Sequence, residues 1–193
     1  MITGHFGLAS AVKAHERWVP LWVLMLSSVW LDVIFIPLFA ANVETISDAP
    51  GTNGGYGDSI IHADYTHSLL GAVLIALVTG WIAARWWGRR GGVVIAVVVL
   101  SHWVLDLVVH RADLALLPGN VGDVRMGLGL WKVEWASIAL EAAILMVGAF
   151  LYWRAATAAE QTAGVVSARR ADLVTGLIVL SGVVVLALDV LAA

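Results

Sequence analysis

The sequence contains no cysteine, and that one absence removes disulfides, thiolate metal sites and cysteine nucleophiles together. Charge is scarce as well. Lys, Arg, Asp and Glu make up 13% of the 193 residues, for a net charge of −3 and a pI near 6.0. No basic stripe is present that could neutralise a phosphate backbone, so nucleic acid is not an expected partner. No cleavable signal peptide is expected either, because the short apolar stretch at the start is interrupted by Lys13, His15 and Glu16 and lacks a small-residue cleavage site. Internal repeats and low-complexity tracts are not evident. What the chain has in excess is apolar surface. With 61% hydrophobic residues and a mean hydropathy of +0.90, it carries more than a soluble domain of this length could hide in one core.

The length rule for a membrane helix, about 20 mostly apolar residues, picks out 18–41, 65–87, 91–110, 131–153 and 171–191. These define a single all-α transmembrane helical domain, a bundle of about five spanning helices. The β-branched run 93–100 reads as helix, since an open sheet edge is not viable in lipid. Trp18, Trp86, Trp87, Trp131 and Trp153 fall at the ends of apolar runs, where indole rings favour the headgroup level.

The connections alternate in charge. Lys13 and Arg17 precede the first span, Arg85, Arg89 and Arg90 lie between the second and third, and Arg154, Arg169 and Arg170 between the fourth and fifth. The positive-inside rule makes those ends cytoplasmic in a multi-pass inner-membrane protein, with the amino end inside and the carboxyl end outside. The loop between the first two spans holds Glu44, Asp48, Asp58 and Asp64 without Lys or Arg, and Pro50-Gly51 and Asn53-Gly54-Gly55 are loop formers, so it faces outward. The 111–130 loop is mixed in charge and takes its side from parity.

Ionisable groups within lipid are costly, and here they are not scattered. His102, Asp106 and His110 recur every four residues, which on a helix stacks them on one face about 6 Å apart. The segment His62-Ala63-Asp64-Tyr65-Thr66-His67-Ser68 enters the second span at its outer end, and Asp32 lies about two-thirds of the way along the first. Glu134 and Glu141, seven apart, share a face of the fourth span. Charge counting and residue spacing thus bring polar groups of four helices to one depth. His62, His67, His102 and Asp106 form the core of this set, Asp32 accompanies them, and His110 is equally well explained by an interhelical hydrogen bond. Asp189 and His15 read as solvated surface groups. Neutral imidazole and carboxylate suit Zn, Fe, Ni or Mn, with Zn favoured, and an open coordination position would let the metal activate water.

Gly4-His5-Phe6-Gly7, Leu31-Asp32, the segment from His62 to Leu70 and Leu100-Ser101-His102-Trp103-Val104-Leu105-Asp106 together resemble the YdjM-like membrane-bound metal-dependent hydrolases. The resemblance covers roughly the first two-thirds of the chain. It implies a metal site built from His5, Asp32, His62, His67, His102 and Asp106, and a hydrolytic activity. His5 joins such a site only if 2–14 forms a short helix inserted in the membrane. The reaction expected is attack of metal-activated water on a lipid or other amphiphilic (phospho)ester, with Asp106 or Glu141 as base and Glu141 alternatively orienting a histidine. Arg111 and Arg125 are read as a phosphate grip or as ordinary interfacial cations. The alternative to an enzyme is a metal or proton carrier or a subunit of a membrane complex. A carrier would show polar residues continuing toward the cytoplasmic side, and those halves of the spans are almost purely apolar.

Overall fold

Two serines and one glycine decide where the long apolar runs break. The structure, a computed structural model, describes residues 1–51, 56–162 and 169–191, so the Asn53-Gly54-Gly55 loop signal lies outside the described residues. The first helix, α1, spans Ile2–His15, and the expected first span is divided into α2 (Leu21–Ser28) and α3 (Trp30–Ala40), bent by 50° at the break. The Ser27 and Ser28 hydroxyls donate to the carbonyls of Val23 and Met25 at 2.7 and 2.8 Å. Such back-bonding competes with the helix ladder and bends it.

Beyond α3 the chain makes an antiparallel hairpin of β1 (Thr45–Asp48) and β2 (Ser59–His62), with Thr45 opposite His62 and Asp48 opposite Ser59. Then follows α4, Leu69–Val109, capped at its start by the Ser68 hydroxyl, which accepts from the Gly71 amide at 3.1 Å. Inside α4, Gly88 has φ 64 and ψ 177, a conformation closed to most side chains, and the helix reverses there. Gly80 and Gly92 then face each other so closely that a Cβ on either would lie within 2.6 Å of the other's carbonyl oxygen. The arms 69–87 and 89–109 therefore form a helical hairpin packed through small residues. A second two-stranded sheet, β3 (Leu114–Ala115) with β4 (Arg125–Met126), precedes α5 (Glu134–Thr162) and α6 (Arg169–Leu191). The two small sheets correct the all-helical expectation. They lie in the connecting loops, where polar backbone need not be satisfied within one segment.

Among the described residues three helices, α4, α5 and α6, are long and apolar enough to cross a membrane, and the bent pair α2 and α3 makes a fourth candidate. Their outer faces are apolar, with Leu177, Leu180, Leu188, Phe150, Trp81 and Val97 exposed. The buried core runs from Leu24 and Leu31 through Ala72, Ala76 and Ala83 to Ile95, Val98 and Val99.

Helix α1 is an insertion into this bundle. Gly4 sits beside Glu141, Gly7 meets the backbone of Ile144 and Gly148, and Lys13 shares a cavity with Tyr152, so α1 and α5 run in the same direction. Gly4, Gly7, Ala9 and Ser10 are buried along with Thr3 and His5, and the small residues let the backbones approach. One end of the bundle is basic: Arg90 pairs with Glu16 at 3.2 Å, and Lys13 and Arg17 border the same cavity as Thr162. Met1 and Asp189 line a cavity at the opposite end. Met1 thus lies at the opposite end of α1 from Lys13 and from the basic cavity. The reason is that residues 2–15 are a packed helix and not a tail.

The contact between α1 and α5 makes a direct prediction. A Cβ at Gly148 would fall on the Gly7 backbone, whereas one at Gly176 meets nothing within 4 Å. Gly148→Leu should destabilise by about 3 kcal/mol or more, a severe overpacking penalty, while Gly176→Ala should leave stability unchanged. Retention of a monodisperse peak after stepwise heating in detergent measures both, and wild-type behaviour of Gly148→Leu would contradict the packing.

Candidate metal centre

The site is assembled where breaks in the helices expose polar groups to one another. The break between α2 and α3 places the Ser28 carbonyl against His102 Nδ1, at 2.8 Å, and puts Asp32 on the first turn of α3. Capping by Ser68 holds His67 just outside α4, where its carbonyl accepts from Trp103 Nε1 at 2.9 Å. The hairpin at Gly88 brings the two arms of α4 together, so that His67 and His102, 35 residues apart, lie with Nε2 atoms 3.2 Å apart.

Asp106 is the centre of the arrangement. It is 3% exposed, and its Oδ2 lies 3.0 Å from His102 Nε2, 3.7 Å from His110 Nε2 and 3.9 Å from His67 Nε2. Its Oδ1 lies 3.2 Å from His5 Nε2, and the His5 ring stacks on that of His102 with centroids 3.9 Å apart. Asp32 Oδ1 is 3.3 Å from His67 Nε2 and 3.5 Å from His102 Nε2. Two overlapping groups could hold a metal ion, His5 with His102 and Asp106, and Asp32 with His67 and His102.

The outer nitrogens of the rings settle which way the inner ones present themselves. His102 Nδ1 faces a carbonyl, which can only accept, so it carries a proton. His67 Nδ1 is 2.8 Å from Thr66 Oγ1, whose own proton goes to Glu44 Oε2 at 2.8 Å, so Nδ1 is again the donor. His110 Nδ1 is 3.0 Å from Asp113 Oδ1 and donates to it. With Nδ1 as the donor in each ring, an Nε2 without a proton would aim its lone pair toward one carboxylate oxygen, which is repulsive unless positive charge lies between them. Either the rings take extra protons or a cation occupies the centre.

A metal fits the spacing. Four ligands bound at about 2.0–2.1 Å in a tetrahedron stand about 3.3 Å apart. Among His67 Nε2, His102 Nε2, Asp32 Oδ1 and Asp106 Oδ2, five of the separations are 3.2, 3.3, 3.5, 3.0 and 3.9 Å. The Nδ1 groups of His102, His67 and His110 are held by a carbonyl, a hydroxyl and a carboxylate, which is the pattern of outer partners that metal-binding histidines have, whereas His5 Nδ1 is buried without one.

Other expected residues fall elsewhere. His62 ends β2 and its Nε2 pairs with Ser47 Oγ at 3.1 Å, outside the cluster. The reason is that 63–67 is a turn and not the first turn of the helix, so His62 and His67 point apart. Glu141 is fully enclosed, but its Oε2 accepts from the Gly4 amide at 3.3 Å and its Oε1 from the Tyr56 hydroxyl in a short contact. Burial, followed by the Glu141 carboxylate, pushes the Tyr56 phenol above its ordinary pKa and keeps it a donor. Glu134 is exposed at the start of α5, and His15 is exposed at the basic end, as expected. Asp189, read from sequence as solvated, lines the site cavity. Arg111 pairs with Asp58 at 3.1 Å and Arg125 with Asp64 at 3.0 Å, so both tie loops together. Sequence reasoning missed Glu44, Thr66, Asp113 and Tyr56 as partners of the cluster. Of these only Glu44 had a signal in the sequence, as one of the acids in a loop without Lys or Arg.

The cavity beside the cluster has a volume of about 400 Å³. Asp32, His67, His102, Asp106 and His110 line it together with apolar Phe35, Ile46, Ile61 and Trp131. The side chain of Asp32 is 37% exposed, against 4% for Asp106, so Asp32 is the carboxylate that faces the space.

A helical membrane protein with a buried cluster of histidines and carboxylates at one end is the class that fold and site define. The sequence profile of the family described as YdjM inner membrane protein matches residues 2–189, and the chain belongs to that family. No curated protein and no solved structure matches the chain.

The geometry predicts that the purified protein takes up one divalent transition metal per chain. His67→Ala combined with His102→Ala should abolish uptake, whereas His62→Ala should retain it. Elemental analysis after metal loading and desalting measures all three, and metal loss in His62→Ala alone would contradict the assignment.

Proposed function

We propose that this protein is a metal-dependent membrane hydrolase acting on a lipid-borne ester or phosphoester. The observation that carries the reading is the pair of overlapping His and Asp groups, with ligand atoms 3.0–3.5 Å apart, on the wall of a cavity that is otherwise largely apolar. We read the arms of α4 as separate crossings, each about 30 Å long, which with the bent pair α2 and α3, α5 and α6 makes five. With the basic end cytoplasmic, the cluster lies in the outer half of the bilayer and both α1 and the end of α6 reach it from that side.

His67, His102 and Asp106 are the three enclosed ligands, which leaves the fourth position, on the cavity side beside Asp32, open to water. His5 braces Asp106 from behind. A divalent metal held by these residues would supply a water of lowered pKa and a Lewis acid for an ester oxygen. Asp32 is the carboxylate best placed to take a proton from a water in the cavity. Asp106 is occupied by surrounding imidazoles, and Glu141 by Tyr56 and Gly4, so neither is free to do so. Phe35, Ile46 and Ile61 provide an apolar wall for the chain of an amphiphile.

The region between the site and the basic end is filled by Leu24, Ala76, Ile95, Val98 and Val99, which supports a closed site over a through-path for an ion.

Turnover of phospholipid and neutral acyl-ester lipids in vesicles is the test. Metal-loaded wild type should cleave one of these classes, a chelator should stop it, and Asp32→Asn should lower the rate by about 100-fold or more. A metal-loaded protein that cleaves none of them would contradict the hydrolase reading and favour a binding or assembly role.

A further inference from the structure

Glu44 was unremarkable in the sequence, one acid in an outer loop, yet it is fully enclosed and satisfied on both oxygens. Its Oε1 accepts from the amides of Tyr65 and Thr66, each at 2.8 Å, and its Oε2 accepts from the Thr66 hydroxyl at 2.8 Å. The same hydroxyl oxygen stands 2.8 Å from His67 Nδ1.

We infer that Glu44, acting through Thr66, is a positioning residue that sets the tautomer of His67. The reasoning rests on counting protons. An ionised carboxylate has none to give, so it takes the single proton of the Thr66 hydroxyl. The hydroxyl then has only lone pairs to offer His67, and Nδ1 must supply the proton in that bond. Nε2 is left bare and faces Asp32, His102 and Asp106. A buried carboxylate in a loop thereby decides whether a nitrogen in the bilayer is a donor or a ligand. This inference rests on the metal reading for its consequence but not for its geometry.

Glu44 has a further structural use, since its other oxygen caps two backbone amides of the 63–67 turn. The test has to separate the two. Glu44→Gln is nearly isosteric and does so. The amide oxygen keeps the two backbone bonds, while the NH₂ group takes the place of Oε2 and donates to Thr66. The Thr66 proton is then released to His67 Nδ1, and the imidazole proton moves to Nε2, where it blocks coordination. Thr66→Val removes the relay without touching the backbone bonds, and Thr66→Ser restores it.

Two measurements decide the matter on full-length protein. In histidine-selective ¹⁵N spectra of metal-free protein, at a pH where the ring is neutral, His67 should carry its proton on Nδ1 in wild type and on Nε2 in Glu44→Gln. In zinc titrations against a competing chelator, Glu44→Gln and Thr66→Val should bind about 10- to 100-fold more weakly than wild type, and Thr66→Ser should bind as wild type does. Unchanged tautomer and affinity in both weakened variants would overturn the relay. Should wild type itself bind no zinc, the metal reading falls, and the tautomer of His67 still decides whether Glu44 sets it.

Discussion

A carboxylate enclosed between membrane helices has to be met by donors or by positive charge, and Asp106 is the group on which this structure turns. Desolvating an unpaired carboxylate costs several kcal/mol or more. Four histidines surround it instead, His102 and His110 from its own helix, His67 from the opposite arm of the hairpin and His5 from α1. Each of the main departures from straight helices serves that meeting. The Gly88 reversal brings the arms of α4 together, the Ser28 break presents a carbonyl to His102, and α1 carries His5 into the bundle along α5.

The outer loops are part of the same construction. Asp113 accepts from His110 Nδ1 and from the Ile61 amide, so one carboxylate orients a ring and fixes the β1–β2 hairpin above the cavity. Arg111 and Arg125 join the two loops through Asp58 and Asp64, and Tyr56 reaches down to Glu141. The loops are therefore a lid tied at several points, and they complete the polar shell that the spanning helices leave open on one side. The cavity wall is polar at the cluster and apolar at Phe35, Ile46 and Ile61.

Much of this was legible in the sequence wherever period and charge speak directly. The four-residue spacing of His102, Asp106 and His110 survives as one face of the second arm of α4, because helical geometry alone dictates it. Asp32 and His67 meet that face, as the depth argument expects. What failed did so for local reasons. His62 stands apart from the cluster because the cap at Ser68 starts the helix late and the residues before it run into β2, where His62 pairs with Ser47. The direction of α1 was invisible to charge counting, since it is set by glycine packing against α5. Glu44, Thr66 and Asp113 act through single hydrogen bonds across long sequence separations, for which no local pattern exists.

In the proposed centre the Nε2 atoms of His67 and His102 and the carboxylate of Asp106 share one metal ion, with a water beside Asp32 in the fourth position. X-ray absorption spectroscopy of the zinc-loaded protein tests it most directly. A first shell of four nitrogen and oxygen atoms at about 2.0 Å, with the outer scattering of two imidazole rings, is the predicted spectrum. A shell of oxygen atoms alone, without imidazole scattering, would contradict it.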